Sequence, residues 1–139
     1  MEQSERYQAK LKNYIKAVTD FRRSMDIDLC SLNDDIKDAV RNGQVHKFEI
    51  AIEQTWRVIK HFMILRHESD VPFAKDAISA FWEAHYIDEE ECERLLEMVK
   101  ARNTLSHVYK ESDYQAVYGK LPAYLASLIK VVDILEAKK

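Results

Sequence analysis

The chain has 139 residues, 47% of them hydrophobic and 32% charged, which suits one domain built round one hydrophobic core. Only two glycines and two prolines occur; so few turn-formers exclude a β-rich or α/β fold and point to an all-helical protein. With 21 basic against 24 acidic residues the net charge is −3, which excludes a bulk attraction for nucleic acid and leaves any such contact to a local basic site.

The first helix is expected from about Ser4 to Ser24, because Tyr7, Leu11, Tyr14, Val18 and Phe21 recur in steps of four and three, the spacing of one buried face. A short helix is expected around Asp34 to Arg41, ended by Asn42-Gly43. The second long helix should cover Gln44 to His67, with Val45, Phe48, Ile52, Thr55, Trp56, Ile59, Phe62 and Met63 on a wide apolar face. Asp70-Val71-Pro72 reads as a helix start, with Asp70 near the N-cap and Pro72 in the first turn. Phe73, Ala77, Ile78, Phe81 and Trp82 would be the apolar side of that shorter helix. Asp88 opens the next, with Glu91 placed to complete a capping box. The last helix begins near Ser112 and keeps a heptad-like row from Tyr114 to Leu135, with a kink expected before Pro122. The sum is an all-α protein: an antiparallel, up-and-down four-helix bundle with additional short helices, spanning 1–139 as a single domain.

Cys30 and Cys92 form no CxxC pair and read as reduced cysteines of a cytoplasmic protein. The polar start Met1-Glu2-Gln3-Ser4-Glu5-Arg6 is unlike a signal peptide, and no apolar run approaches the roughly 20 residues of a membrane span. No membrane partner is expected. No metal site is expected either: there is no HExxH string, and His61 and His67 stand six apart on different helix faces.

The chemistry concentrates in Arg102-Asn103-Thr104-Leu105-Ser106-His107-Val108-Tyr109. These residues place a permanent cation, an amide, a hydroxyl, an imidazole and a phenol within about two helical turns. That inventory can cut RNA without a metal or other cofactor. Imidazoles exchange protons near neutral pH, so His107 is the candidate general base or acid for attack of a ribose 2′-OH on the adjacent phosphate. Arg102 would hold that phosphate and stabilise the charge of the transition state. Asn103 would orient His107 or donate to a phosphoryl oxygen. Ser106 and Lys110 are the candidate substrate-binding residues, and the product would be a 2′,3′-cyclic phosphate. One geometric difficulty stands: residues five apart on a regular helix point about 140° from each other. The arginine can swing round, the helix can loosen after Ser106, or two copies of the motif can meet across a two-fold axis. We favour the last.

The octet resembles the Arg-x4-His-x-Tyr signature of the HEPN superfamily. In particular it is similar to the HEPN toxins paired with a minimal nucleotidyltransferase (MNT) antitoxin, also described as nucleotidyltransferase substrate-binding proteins. The segment from Gln44 to Lys60, with Phe48-Glu49 followed by Trp56-Arg57, resembles that family's second helix. Pro72 and the tyrosine-rich last helix also fit. The resemblance implies a homodimeric endoribonuclease toxin whose cleft forms between two protomers, with RNA as substrate and a cognate nucleotidyltransferase antitoxin as partner, and possible growth into a larger hetero-oligomer. It also implies that the partner transfers AMP from ATP onto Tyr109, two residues after the motif histidine, and thereby blocks RNA. The alternative function is a non-catalytic subunit that binds substrate or nucleotide for the nucleotidyltransferase.

Structural roles compete with these. Arg102 can be an ion-pair residue fixing helix register, and His107 can satisfy carbonyls at a helix end. Tyr109 can pack at the end of the row Leu95, Met98, Arg102, Leu105. Trp56 and Trp82 read as core or interface aromatics, and His46, His61, His67 and His85 as surface or interface residues. The basic row Lys12, Lys16 and Arg23 reads as a solvated face rather than an RNA guide.

Overall fold

The computed structural model describes residues 2–138. Five helices follow in chain order: α1 (Glu2–Met25), α2 (Asp34–His67), α3 (Ala74–Glu83), α4 (Glu89–Leu105) and α5 (Glu111–Ala137). No strand occurs among the described residues. Side-chain bonds give the directions. Gln44, early in α2, reaches the carbonyl of Ser24 at the end of α1, and His61, late in α2, meets Gln3 at the start of α1. The two helices are therefore antiparallel. Glu97 of α4 accepts from Tyr124 of α5, and Glu91 from Lys130, so α4 and α5 are antiparallel as well. Four long helices thus form the bundle, and the short α3 bridges α2 and α4.

The predicted faces are the ones that bury. Tyr7, Leu11, Tyr14, Val18 and Phe21 meet Phe48, Ile52, Ile59 and Phe62 of α2, and Leu121, Tyr124, Leu128, Val131 and Leu135 of α5 join the same core. Phe48 stacks on Tyr124 with ring centroids 5.3 Å apart. Buried Gln44 is bonded at both ends of its amide: the nitrogen donates to Ser24 at 2.8 Å and the oxygen accepts from Tyr118 at 2.6 Å. Such satisfaction matters because an unpaired buried polar group costs about 1–3 kcal/mol.

Several local expectations are corrected. The break at Asn42-Gly43 is absent: α2 runs through it from an Asn33 N-cap, whose side chain accepts from Ile36 N at 2.9 Å. A helical glycine costs about 1 kcal/mol against alanine, and the burial of Gln44, Val45 and Phe48 immediately after it outweighs that. Asp70 does not cap α3; Phe73 occupies the N-cap with no side-chain bond. Phe73 and Trp82 point away from the core, 68% and 39% exposed, because Ala77, Ile78 and Phe81 already fill the buried side of so short a helix. Asp88 caps α4 as expected, accepting from Glu91 N at 2.8 Å. Glu91 does not reach back; Arg94 and Lys130 hold its carboxylate instead. The last helix starts at Glu111, within one residue of the expected Ser112, and carries Pro122 inside it. His61 is buried, not a surface residue.

Candidate functional site

The motif lies where α4 ends. Ser106 is the C-cap, its amide reaching the carbonyls of Arg102 at 3.1 Å and Asn103 at 3.3 Å. The Ser106 hydroxyl donates to the Asn103 carbonyl at 2.8 Å. A small residue that can satisfy a terminal carbonyl explains why the helix stops here. His107 makes one last bond, to Thr104 O at 3.3 Å, and the chain then runs without helix through Lys110. The Arg102–His107 angle of a regular helix therefore does not apply. Of the three arrangements considered from sequence, loosening after Ser106 is present within one chain.

Two depressions meet at Asn103. One, of about 430 Å³, is lined by Lys75, Leu96, Val99, Lys100, Asn103, Thr104 and His107. The other, of about 360 Å³, is lined by Glu53 and Trp56 of α2, Phe73 to Lys75 at the start of α3, and Val99, Arg102 and Asn103 of α4. Lys75, Val99 and Asn103 border both. Arg102 and His107 thus open onto adjoining surface, with an amide and an ammonium between them.

Arg102 is 31% exposed, and its Nε lies 3.7 Å from Glu53 Oε2. That is an ion contact but too long for a hydrogen bond, and the Nε atom is buried without a partner among the described residues. Glu53 is otherwise engaged: its Oε1 accepts from Arg57 at 2.9 Å and its Oε2 from Trp56 Nε1 at 3.3 Å. Burial works against the Glu53 carboxylate, but these bonds and the charges of Arg57 and Arg102 outweigh it, holding its pKa below the ordinary glutamate value. Glu53 is thereby a fixed anion that positions Arg102 without hydrogen-bonding it.

The remaining motif residues divide. Ser106 spends its hydroxyl on the helix end, and neither Ser106 nor Lys110 lines either depression. Lys110 is the exposed N-cap of α5, its amide donating to Asp113 at 3.2 Å. Tyr109 does not pack at the end of the row that buries Leu95, Met98 and Leu105; it is 43% exposed, with its ring stacked on Tyr114 at 6.2 Å. Of the seven tyrosines in the chain, Tyr109 alone falls in the exposed class. The hydroxyls of Tyr14, Tyr86, Tyr114, Tyr118 and Tyr124 are hydrogen-bonded and that of Tyr7 is buried. Val108 beside Tyr109 is fully exposed.

Sequence reading missed Glu53, Lys75 and Phe73. Glu53 carried a usable signal, since it stands three and four residues before Trp56 and Arg57 on α2, within side-chain reach of both. Lys75 and Phe73 are brought in by tertiary packing alone. Among the described residues no group of three or more His, Cys, Asp or Glu side chains could hold a metal ion, and no helix is long and apolar enough to cross a membrane.

A family model described as "Nucleotidyltransferase substrate binding protein like" matches residues 9–137. No curated protein matches the chain in sequence. Among solved structures, a Thermus thermophilus protein is similar with a TM-score of 0.75 at 21% identity, covering 86% of this chain and 96% of its own. The tri-AMPylated Shewanella oneidensis HEPN toxin, solved in complex with its MNT antitoxin, gives a TM-score of 0.74 at 14% identity, covering 94% and 96%. A mutant MntA–HpeT toxin–antitoxin structure gives 0.74 at 14%, covering 94% and 97%. At these identities the likeness establishes the fold.

Proposed function

The chain belongs to the nucleotidyltransferase substrate binding protein like family, and from that membership and the geometry of the motif we propose that it is a HEPN toxin, an endoribonuclease controlled by a cognate MNT nucleotidyltransferase. The observation that carries the proposal is the placement of Asn103 on the border of both depressions, one holding Arg102 and the other His107. A phosphodiester laid across Asn103 meets a guanidinium on one side and an imidazole on the other.

In the proposed reaction His107 accepts the proton of a ribose 2′-OH as that oxygen bonds to the neighbouring phosphorus. The bond from phosphorus to the 5′-oxygen breaks, and the leaving oxygen takes a proton from an imidazolium. The products are a 2′,3′-cyclic phosphate and a 5′-hydroxyl. Arg102 pairs with the non-bridging oxygens, where a planar fork of donors is most effective. Exposed Phe73 and Val108 beside the motif, and the apolar Leu96 and Val99 under it, support pairing of two protomers across this face. Residues 1–139 act as one domain in this reading. Control is by AMP: the partner transfers it from ATP to the Tyr109 oxygen, the phenol loses its proton and pyrophosphate leaves. The exposed and unbonded Tyr109 hydroxyl supports that assignment.

The family's description favours a second reading, a non-catalytic subunit that presents a substrate or nucleotide to the nucleotidyltransferase. A cleavage assay separates the two. Wild-type protein should cut labelled single-stranded RNA to cyclic phosphate ends, and His107→Ala should abolish cutting without moving the melting temperature, since His107 is exposed beyond the helix end. RNA left intact by wild type, together with tight binding to the nucleotidyltransferase, would select the second reading; cutting retained in His107→Ala would remove the mechanism.

A further inference from the structure

A third depression, of about 340 Å³, lies between α1 and α2 and nothing in the reaction above uses it. Arg6 and Lys10 of α1 and Arg57, Lys60 and His61 of α2 line it, together with Trp56. The same Trp56 lines the Arg102 depression, so both depressions border one indole. Over that indole lies the Arg57 guanidinium, 4.8 Å from the ring centroid. Arg6, Lys10, Arg57 and Lys60 thus give this surface four cations in a chain of net charge −3. The carboxylates nearby do not cancel them. Arg6 pairs with Glu2 at 2.7 Å, Arg57 with Glu53 at 2.9 Å and Lys60 with Asp70 at 3.7 Å, all partly or largely exposed. The Arg6 and Lys60 pairs are exposed and weak, so both cations can turn to a phosphate, while Arg57 stays on Glu53 and offers its guanidinium plane. Lys10 has no carboxylate within 4 Å among the described residues.

The floor adds a second observation. His61 is 6% exposed, its Nε2 lies 3.2 Å from Gln3 Oε1, and its Nδ1 is buried without a partner. Tyr7 packs edge-on against it at 5.6 Å, and the Tyr7 hydroxyl is likewise buried and unpartnered. Unsatisfied buried polar atoms are rare in folded proteins, and a water, an ion or a ligand group commonly completes them.

We propose that this α1–α2 groove is the track for single-stranded RNA flanking the scissile bond. Its cations hold successive phosphates, and the stacked Arg57–Trp56 pair supports a base between the groove and Arg102. Guanidinium and indole planes accept any base, so the contact is independent of sequence. The row Lys12, Lys16 and Arg23, on the exposed side of α1, takes no part. The inference rests on the proposed RNA-cleaving reading, and its test separates the two.

Binding of a fluorescein-labelled single-stranded 12-mer is measured by anisotropy over a salt series, in a His107→Ala background that leaves the RNA uncut. Lys10→Ala/Lys60→Ala should weaken binding on the order of tenfold at low salt. The slope of log K against log salt should also shrink by about 1.4, at about 0.7 per phosphate contact on a single strand. Lys10→Arg/Lys60→Arg should restore both, which excludes a folding defect. Unchanged affinity in the alanine pair, or an equal loss in Lys12→Ala/Arg23→Ala, overturns the groove. Full displacement of the RNA by ATP at equal nucleotide concentration also overturns it, in favour of a free-nucleotide site. Cleavage of a dinucleotide by otherwise wild-type protein, which offers only the scissile phosphate, tests the nuclease alone. Lys10- and Lys60-dependent binding without cleavage keeps the groove and removes the nuclease; cleavage with binding indifferent to these lysines does the reverse.

Discussion

Replacing Arg102 by lysine and by alanine distinguishes a phosphate-binding arginine from one that merely fixes helix register. The alanine change removes two further methylenes at about 0.8 kcal/mol each when fully buried. At the 31% exposure observed for Arg102, that is about 1 kcal/mol. The Glu53 contact at 3.7 Å joins two partly exposed groups and adds between about 0 and 1 kcal/mol. The total of about 1–2 kcal/mol corresponds to a fall in melting temperature of roughly 3–7 °C at this chain length. Catalysis should respond far more strongly. Loss of a donor aimed at developing oxyanion charge costs about 2.7–4 kcal/mol, or 10²–10³-fold in rate. Lysine is the sharper probe, since it keeps the aliphatic stem and the charge but lacks the fork that grips two oxygens. Arg102→Lys should therefore melt within about 4 °C of wild type and still cut RNA at least about tenfold more slowly. The assay is single-turnover cleavage of a labelled oligoribonucleotide beside a thermal melt of the same preparation. Cleavage by Arg102→Lys within threefold of wild type, or inactivity of Arg102→Ala accompanied by outright unfolding, would refute the reasoning and leave the arginine a structural residue.

Two further outcomes are expected. Tyr109→Phe should stay an active nuclease and gain no AMP from the partner nucleotidyltransferase and ATP by intact-mass spectrometry; AMP retained on the variant would move the modification elsewhere. The pH dependence of stability should carry a mark of His61, whose pKa is pushed below the ordinary histidine value, first by burial and then by the charges of Lys10 and Arg6. The folded state then favours the neutral ring, and the unfolded chain binds the extra proton more readily just below about pH 6.5. Stability should be full above that pH and fall as the solution is acidified toward the folded-state pKa. The depressed carboxylates Glu53, Glu91 and Glu97 titrate only below about pH 4.5. Melting curves at pH 7.5 and 5.5 should accordingly show a smaller loss in His61→Gln than in wild type, and an equal loss would contradict the assignment.

What was legible in the sequence followed from periodicity. The rows Tyr7 to Phe21, Val45 to Met63 and Tyr114 to Leu135 bury as read except at Trp56 and Tyr114, which stay half-buried, because a helical stripe is a local property that packing only selects. Local break signals were weaker than tertiary burial. Asn42-Gly43 sits inside α2 because the residues that follow it are core, and no propensity outweighs that. The end of α4 was the reverse case. Ser106 and the residues after it do stop the helix, and the stop releases His107 from a geometry that would have aimed it away from Arg102. The octet was therefore readable as chemistry but not as shape. Of its outer partners, Glu53 left a signal beside Trp56 and Arg57, but Lys75 and Phe73 left none. Lys75 and Phe73 lie some thirty positions upstream in sequence, and only the docking of α3 between α2 and α4 brings them to Asn103.

The same helix end accounts for the choice of Tyr109 as the modified residue in the proposed switch. A tyrosine on a packed helix cannot enter another enzyme's active site without local unfolding, and six of the seven are either hydrogen-bonded or buried at the hydroxyl. Tyr109 stands in the non-helical stretch between α4 and α5, where extended chain can be gripped from both sides. Two residues span at most about 7 Å of backbone, so an anion added at Tyr109 is tethered to the short stretch that carries His107. In a chain whose net charge is already −3, attraction for RNA depends on a few local cations, and one fixed anion placed among them is a large fractional change. A bulky group would be needed to block a strongly basic protein; here the charge alone works in the same direction as the bulk.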